Sequence, residues 1–352
     1  MREKARLMPY DALLVLSFGG PESRDEVLPF LENVLRGKNV PRERMLEVAE
    51  HYHHFDGISP INQHVRDLIA ALQAELASHG SKLPIYWGNR NWHPMLADTI
   101  RQMARDGVKN ALGFVTSAYS SYSGCRQYRE DIASARIQVG PEAPQVDKIR
   151  AFFNHPGFLA ASQERLTSAL REVPESARES VQVVYTAHSI PVLMADGSDY
   201  VKQLEEVRRL VSETVGIAND VLVYQSRSGP SGQPWLGPDI LEHLRRVKKD
   251  KLATAVVVAP IGFISDHMEV LYDLDVEARQ LCDSLELPMV RAGTVGAHPR
   301  IIRMIRELIE ERTASGPRLA LGTLGARPDA CAENCCPAPQ RPRAAVPQRT
   351  VV

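Results

Sequence analysis

Four acidic residues recur at helical spacing just beyond a strand-like stretch. Ala255–Ala259 is apolar and β-branched, as expected of a buried parallel strand. Asp266, Glu269, Asp273 and Glu277 then share one face of a predicted helix, capped by Asp266 or the serine before it. Like charges at this spacing destabilise a helix by about 0.2–0.5 kcal/mol per pair. The row is therefore either a solvated face or a ladder of oxygen ligands that conducts a divalent cation or protons.

A histidine leaves a second strand-like stretch in a similar way. Val181–Tyr185 in 181–189 (VQVVYTAHS) predicts a strand, and His188 follows just past its carboxyl end, before a turn fixed by Pro191. Ligands of open α/β sheets bind at the carboxyl ends of the strands. A single histidine is more often structural, but this placement makes His188 a candidate base.

The elements that must position these residues alternate between strands and helices. This alternation predicts an α/β fold built from βαβ units with parallel sheets. The predicted strands are 12–16, 85–87, 111–115, 181–185, 221–224 and 254–259. We expect two similar halves, at 9–150 and 151–315, followed by a cysteine-containing tail at 316–352. The tail is rich in Pro, Arg, Gly and Ala, so we expect poor order unless something ties it down.

Composition excludes several classes of protein. The 352 residues are 44% hydrophobic with a formal net charge of −1, which suits two domain cores and argues against a dedicated nucleic-acid binder. No run of about 18 apolar residues predicts a membrane span. The N-terminal apolar run is interpreted as a strand, not a signal peptide. Five cysteines then predict a reducing compartment, the cytoplasm. Dinucleotide and P-loop fingerprints are absent from the sequence.

Six segments spread over the chain resemble the ferrochelatase family, whose members insert ferrous iron into a porphyrin. They are LLVLSFGGP at 13–21, GISP at 57–60, RNWHP at 90–94, TAHSIP at 186–191, the QS…GP…PWLGP block at 225–238 and GFISDHMEVLYDLD at 262–275. A single match of this length is weak, but six in the family's order are specific.

The resemblance implies a fold and a site. The fold is two Rossmann-like domains with the tetrapyrrole in the cleft between them. His188 and Glu269 are implied to face each other across the porphyrin plane or its metal path. Ser59 and Tyr128 are implied to contact the macrocycle or its carboxylates, with Phe18 over one of its faces.

The chemistry suits these residue types. Metallation removes two pyrrolic protons and delivers dehydrated Fe²⁺ to four nitrogens. Neutral His188 can accept a proton or ligate iron, and Glu269, Asp273 and Glu277 can strip water from the ion. Distortion of the macrocycle would expose its nitrogens, and five aromatic residues are candidates to impose it unless they are ordinary core. These are Phe18, Tyr119, Tyr122, Tyr128 and Trp235.

The cysteines form a second candidate site. Cys331, Cys335 and Cys336 make a C-x3-C-C motif in the tail, and Cys125 follows the third predicted strand. An iron–sulfur cluster needs four thiolates. Resemblance to ferrochelatases with one internal and three C-terminal cysteines implies a [2Fe–2S] cluster, with zinc as the alternative. Cys282 lies in an apolar helical pattern and is predicted to be a core residue.

The expected substrates are Fe²⁺ and coproporphyrin III. In ferrochelatases the segment at 35–45 forms a lip over the porphyrin, and here it is basic. Its cations are Arg36, Lys38, Arg42 and Arg44. A basic lip suits four propionates better than the two of protoporphyrin IX, and Phe18 points the same way by family pattern.

Other functions stay open at this point. The alternatives are a protoporphyrin IX ferrochelatase, a cobalt or nickel chelatase of related fold, and a non-enzymatic tetrapyrrole carrier or iron–sulfur sensor. A carrier needs neither a base nor a cation path, so His188 and the acidic row argue against it. A downstream heme-pathway enzyme is a candidate partner.

Overall fold

Two four-stranded parallel sheets form the framework of the computed structural model, which describes residues 10–37, 40–228 and 232–338. The first sheet, ordered β2-β1-β3-β4, contains β1 Ala12–Ser17, β2 Ile85–Asn89, β3 Asn110–Val115 and β4 Gln145–Lys148. The second, ordered β6-β5-β7-β8, contains β5 Val181–His188, β6 Asp220–Gln225, β7 Ala255–Ala259 and β8 Met289–Arg291. The α/β prediction of parallel sheets in two similar halves is confirmed.

The strands follow from their apolar runs. β1 and β7 are buried along their whole lengths, as expected of parallel strands covered on both faces. Sequence patterns missed β4 and β8, because these edge strands have only four and three residues and carry charged side chains. His188 is the last residue of β5 and not, as predicted, just past its end.

Helices cover the sheets. They are α1 Val27–Val34, α2 Arg42–His53, α3 Ile61–Ser78, α4 Leu96–Arg105, α5 Gln127–Val139, α6 Pro156–Glu172, α7 Val192–Asp196, α8 Tyr200–Val215, α9 Ile240–Lys249, α10 Met268–Val270, α11 Arg279–Ser284 and α12 Pro299–Thr313. Between α10 and α11 the chain forms a π-helix, Leu271–Ala278. No helix in the described ranges is long and apolar enough to cross a membrane.

One apolar core runs through both halves. Phe114 of the first sheet, Tyr185 of the second and Leu308 of α12 belong to the same buried cluster. α12 packs on α3 as well as on α6, so the C-terminal helix bridges elements of both halves. The domain limits at 9–150 and 151–315 stay a prediction.

A buried ion pair lies where the first half passes into the second. Arg150 and Glu311 are 1% and 3% exposed, and their Nε and Oε1 atoms lie 2.9 Å apart. The same guanidinium donates 2.8 Å to the Leu319 carbonyl in the tail. Removing one partner of such a pair costs about 3–5 kcal/mol of folding free energy, because the other charge stays buried.

Polar contacts tie down the described part of the tail, 316–338. Asn154 donates to the carbonyls of Leu321 and Gly325 at 3.2 and 2.8 Å. Glu206 accepts hydrogen bonds from the backbone and hydroxyl of Thr323. Asn154 and Glu206, which are buried polar residues outside the tail, therefore hold the segment 321–325 in place. None of these hydrogen bonds involves a cysteine.

Candidate active site

The acidic row and His188 leave neighbouring strands of the second sheet. β5 pairs directly with β7, so their carboxyl ends lie side by side. Gly262, just beyond β7, donates 3.0 Å from its N–H to the Thr186 carbonyl. A Cβ at Gly262 would lie 2.6 Å from the Ala187 Cα, so this approach of the two segments requires glycine. The shared sheet edge brings the two predicted catalytic residues together.

His188 and Glu269 form an ion pair at this edge. Their Nε2 and Oε2 atoms lie 3.5 Å apart, and the side chains are 34% and 43% exposed. Nδ1 lies 2.5 Å from the Ser189 carbonyl, which only accepts, so Nδ1 carries a proton and Nε2 faces the carboxylate. Tyr200 donates 3.0 Å to the His188 carbonyl and fixes the end of the strand.

The pair favours the charged form of both groups. Burial opposes ionisation of Glu269, but the hydrogen bond and charge of His188 outweigh it and lower the pKa of Glu269 to about 2. Burial likewise favours neutral His188, yet the same contact with Glu269 raises the pKa of the imidazole. The contact therefore favours a protonated His188 beside a negatively charged Glu269.

The spacing of the acids predicted that they share one face of a regular α-helix, and this prediction is wrong. Glu269 lies in α10, and Asp273 and Glu277 lie in the wider π-helix, which is a frequent feature of functional sites. The predicted cap is also wrong, because His267 occupies the N-cap position. Asp266 does not belong to the acidic row, because its Oδ1 forms an ion pair with Arg291 at 3.1 Å.

Asp273 is the carboxylate poised to exchange a proton near neutral pH. Ser226 donates a short hydrogen bond to Asp273 Oδ2, and Gln225 donates to the same oxygen at 3.2 Å. Burial raises the pKa of Asp273 to about 7, and repulsion from Glu269 and Glu277 adds to this shift. The hydrogen bond from Ser226 acts in the opposite direction. Ser226 and Gln225 belong to a recognised motif, but sequence alone gave them no role.

Glu277 is the outermost acid of the predicted ladder. Burial raises the pKa of Glu277, and Asp239 adds to this shift, while Arg44 of α2 opposes it. An arginine from the other half of the chain thus influences the end of the acidic row. The metal-ligand role of His188, Glu269, Asp273 and Glu277 stays a prediction.

The predicted porphyrin contacts differ in exposure. Phe18 is 38% exposed, whereas Ser59 and Tyr128 are 4% and 5% exposed. The Ser59 hydroxyl lies 3.4 Å from the Met268 N–H and accepts from it. Tyr119 is a core residue, with its hydroxyl bonded to the Ile261 carbonyl at 2.8 Å. The porphyrin-contact role of Phe18, Ser59 and Tyr128 is a prediction that the geometry leaves open.

Sequence reasoning missed Arg90, which joins two of these residues. Its guanidinium carbon lies 4.6 Å from the Tyr128 ring centroid and 5.9 Å from that of Phe18. Asp131 holds the side chain through Arg90 Nε at 2.5 Å. The 90–94 match was recognised as a motif, but nothing in the sequence indicated that Arg90 packs between two aromatic rings.

One cavity of about 270 Å³ is lined by Cys125 and by the three cysteines of the tail, Cys331, Cys335 and Cys336. The Sγ atoms of Cys335 and Cys336 lie 3.5 Å apart, and a hydrogen bond from Cys125 lowers the pKa of Cys331 to about 7. In the described ranges, no group of three or more His, Cys, Asp or Glu side chains has the geometry to hold a metal ion. The cluster is therefore not confirmed. Cys282 is fully buried in a core cluster, as predicted.

Comparison with known families identifies what this chain resembles. The family model described as Ferrochelatase matches residues 10–313. A curated protein of Rhodopirellula baltica named "Ferrochelatase" is 55% identical over 340 residues, covering 96% of this chain and 97% of that protein. Proteins of Streptomyces coelicolor and Nocardia farcinica named "Coproporphyrin III ferrochelatase" are 49% and 48% identical; each comparison covers 96% of this chain, with 96% and 99% of the respective relatives.

Solved structures support the fold. SirB from Bacillus subtilis with Fe³⁺ superimposes with a TM-score of 0.55 at 13% identity, covering 87% of this chain and 97% of that chain. The sirohydrochlorin chelatase SirB from B. subtilis subspecies spizizenii with cobalt gives a TM-score of 0.52 at 11% identity and the same coverages. At these identities the likeness concerns the two-sheet architecture alone.

Cation binding by the acidic row should weaken as the pH falls through about 7, because Asp273 then takes up a proton. Its pKa lies above the ordinary value, so below about pH 7 a cation must displace a proton from this carboxyl and binds more weakly. Co²⁺ affinity, followed by visible absorbance at about pH 6 and pH 8, measures the effect. The Asp273→Asn variant should bind Co²⁺ more weakly than the parent at the higher pH. Its affinities at the two pH values should differ much less than those of the parent.

Asp275→Asn is the matched control, since Asp275 lies in the same π-helix but pairs with Arg291 at 2.7 Å. It should keep the affinity and the pH dependence of the parent. An unchanged pH dependence in Asp273→Asn would contradict the assignment of this titration to Asp273.

Proposed function

Because this chain belongs to the ferrochelatase family, we propose that it inserts Fe²⁺ into coproporphyrin III to form Fe-coproporphyrin III (coproheme) in heme biosynthesis. The family makes the chain an enzyme, a metal chelatase with Fe²⁺ and a porphyrin as substrates, and this disfavours the carrier and sensor alternatives. The observation that carries the mechanism is the 3.5 Å pair of His188 and Glu269. We place the reaction in the cytoplasm, in line with five free cysteines.

His188 is the proposed base for the pyrrolic protons. The contact with Glu269 raises the pKa of the imidazole and favours its protonated form. That proton must leave before His188 accepts one from the macrocycle. Asp273, with a pKa of about 7, can take up and release a proton at neutral pH without a large free-energy change. The acidic row then serves as the proton exit.

The same row is the proposed path for the metal. Glu269 lies nearest the base, Asp273 is hydrogen-bonded by Gln225 of β6, and Glu277 feels the charge of Arg44 of α2. Carboxylate oxygens replace water around a divalent cation, so successive acids dehydrate Fe²⁺ in steps. Glu269 is the proposed last ligand before the porphyrin, which makes it essential, with Asp273 and Glu277 auxiliary.

Coproporphyrin III is favoured over protoporphyrin IX by charge. Arg36, Arg42 and Arg44 of the lip are exposed, and Lys38 of the same segment lies outside the described residues. Exposed guanidinium groups bind propionates by charge-assisted hydrogen bonds. The names of the Streptomyces and Nocardia relatives agree with this choice. The alternative, a protoporphyrin IX ferrochelatase, uses the same pair and the same acidic row.

We also propose that Cys125, Cys331, Cys335 and Cys336 hold a [2Fe–2S] cluster. The four residues supply the number of thiols that a cluster needs, and they line a single cavity. Four thiolates around this core leave a net negative charge. Two aspartates, Asp147 and Asp329, line the cavity together with four cations. The cations are Arg126, Arg129, Arg136 and Lys148. The bound cluster would link the tail to the segment around Cys125, and no step of metal insertion requires it.

Turnover should favour coproporphyrin III, with kcat/KM at least about tenfold above that for protoporphyrin IX, the value of one added carboxylate–arginine contact. The measurement is anaerobic metallation with Fe²⁺, followed by porphyrin absorbance. The double variant Arg36→Gln with Arg42→Gln should reduce the ratio, whereas Arg101→Gln, an exposed arginine of α4, should not. A preference for protoporphyrin IX in the parent would establish the alternative.

Anaerobically purified protein should be brown, with visible bands that dithionite bleaches. Cys125→Ser should lose the colour, and Cys282→Ser should keep it, since Cys282 is a core residue. Limited proteolysis of Cys125→Ser should begin only beyond about Asp329, because Asn154, Glu206 and Arg318 still bind the preceding tail.

Two results would contradict the cluster. Colourless protein with stoichiometric zinc would show a different metal, and colour retained in Cys125→Ser would place the fourth ligand elsewhere. Neither result would affect the proposed chemistry at His188.

A further inference from the structure

The helices that form the lip side of the first half also enclose the start of the acidic row. We call α1 and α2 together the cap. Met268 of α10 is 1% exposed and completes the apolar cluster of the cap. Its other buried members are Val27, Phe30, Leu31, Met45, Ala49 and Tyr52. A side chain from the C-terminal half of the sequence is thus a core residue of the cap.

A second contact joins the cap to the π-helix. His51 of α2 stacks on Tyr272, with ring centroids 3.7 Å apart and an interplanar angle of 10°. Burial lowers the pKa of His51, so its neutral form is favoured in the stack. The Ser59 hydroxyl, in the loop that follows α2, also binds the Met268 N–H at 3.4 Å.

These contacts bracket Glu269 in the sequence. Met268 precedes it by one residue and Tyr272 follows it by three, and both are anchored to α2 or its following loop. Glu269 lies in the first turn of a continuous helical run, 268–284, where backbone N–H groups have no acceptor within the helix. Val270, the next residue, is buried in the core of the second half. The contacts with α2 and its following loop add the anchors on the other side of the carboxylate.

His188, in contrast, is held within its own half. It ends β5, its ring bonds to the Ser189 carbonyl, and Tyr200 of α8 binds its backbone. The two members of the pair are thus positioned by different parts of the molecule. Their 3.5 Å separation depends on how the cap packs against α10.

We infer that Met268 and the His51–Tyr272 stack are positioning groups that set Glu269 opposite His188 through the cap. The inference rests on the proposed role of Glu269 in metal insertion. A displacement of about 1 Å at a reacting group can cost up to about 100-fold in rate. Loosening the anchors should therefore lower kcat far more than it lowers porphyrin affinity.

The test compares Met268→Ala with Met304→Ala, a methionine of α12 that is equally buried but belongs to another cluster. Both should lower the melting temperature. Met268→Ala should lower kcat by about tenfold or more while the porphyrin Kd stays within about twofold. Met304→Ala should leave kcat at the parent value. Met268→Leu, whose side chain fills most of the space that alanine leaves empty, should have a kcat close to that of the parent.

The stack is tested in parallel. His51→Ala should lower kcat, whereas His51→Phe, which keeps an aromatic ring against Tyr272, should retain most of it. Amide exchange gives a readout independent of turnover. In Met268→Ala and His51→Ala, exchange at 268–278 should accelerate relative to Met304→Ala.

Two sets of results would overturn the inference. One is a parent-level kcat in Met268→Ala; the other is an equal loss of kcat and equal exchange in Met304→Ala. An inactive parent protein would refute the proposed function instead, and the exchange comparison would still decide whether the cap positions α10.

Discussion

The contact between His188 and Glu269 is the interaction on which the rest of the site depends. It joins the end of β5 to the segment beyond β7, at a distance of 3.5 Å, and it leaves both side chains partly exposed. Each group stabilises the charge of the other, so the pKa of Glu269 falls to about 2 and that of His188 rises. In the proposed mechanism a second proton acceptor relieves His188, and Asp273 is the proposed one because burial raises its pKa to about 7.

The fold supplies this contact through close packing from two directions. Gly262 lets the segment beyond β7 lie against β5, because any Cβ there would overlap Ala187. On the other side, the cap encloses Met268 and stacks His51 on Tyr272. Asp273 and Glu277 lie in the π-helix that follows, a form that is frequent at functional sites. Backbone geometry and long-range packing therefore control the same carboxylate.

Local patterns in the sequence predicted the sheets, His188 and the acidic row, because apolar strand runs and the residues that follow them are short-range features. The same patterns did not predict the edge strands β4 and β8, because these strands are short and carry charged side chains. Arg90, His51 and the pairing of Asp266 with Arg291 were also missed. Those contacts join distant parts of the chain, and single-sequence periodicity carries no information about them.

Single-turnover metallation of bound coproporphyrin III with Fe²⁺ tests the central claim most directly. His188→Ala and Glu269→Gln should bind the porphyrin normally and lose at least about 100-fold in the metallation rate, as expected for removal of a proton-transfer group. Asp273→Asn should lose less and Glu277→Gln least. Turnover of His188→Ala within a few-fold of the parent, or an equal or inverted order along the acids, would contradict the account.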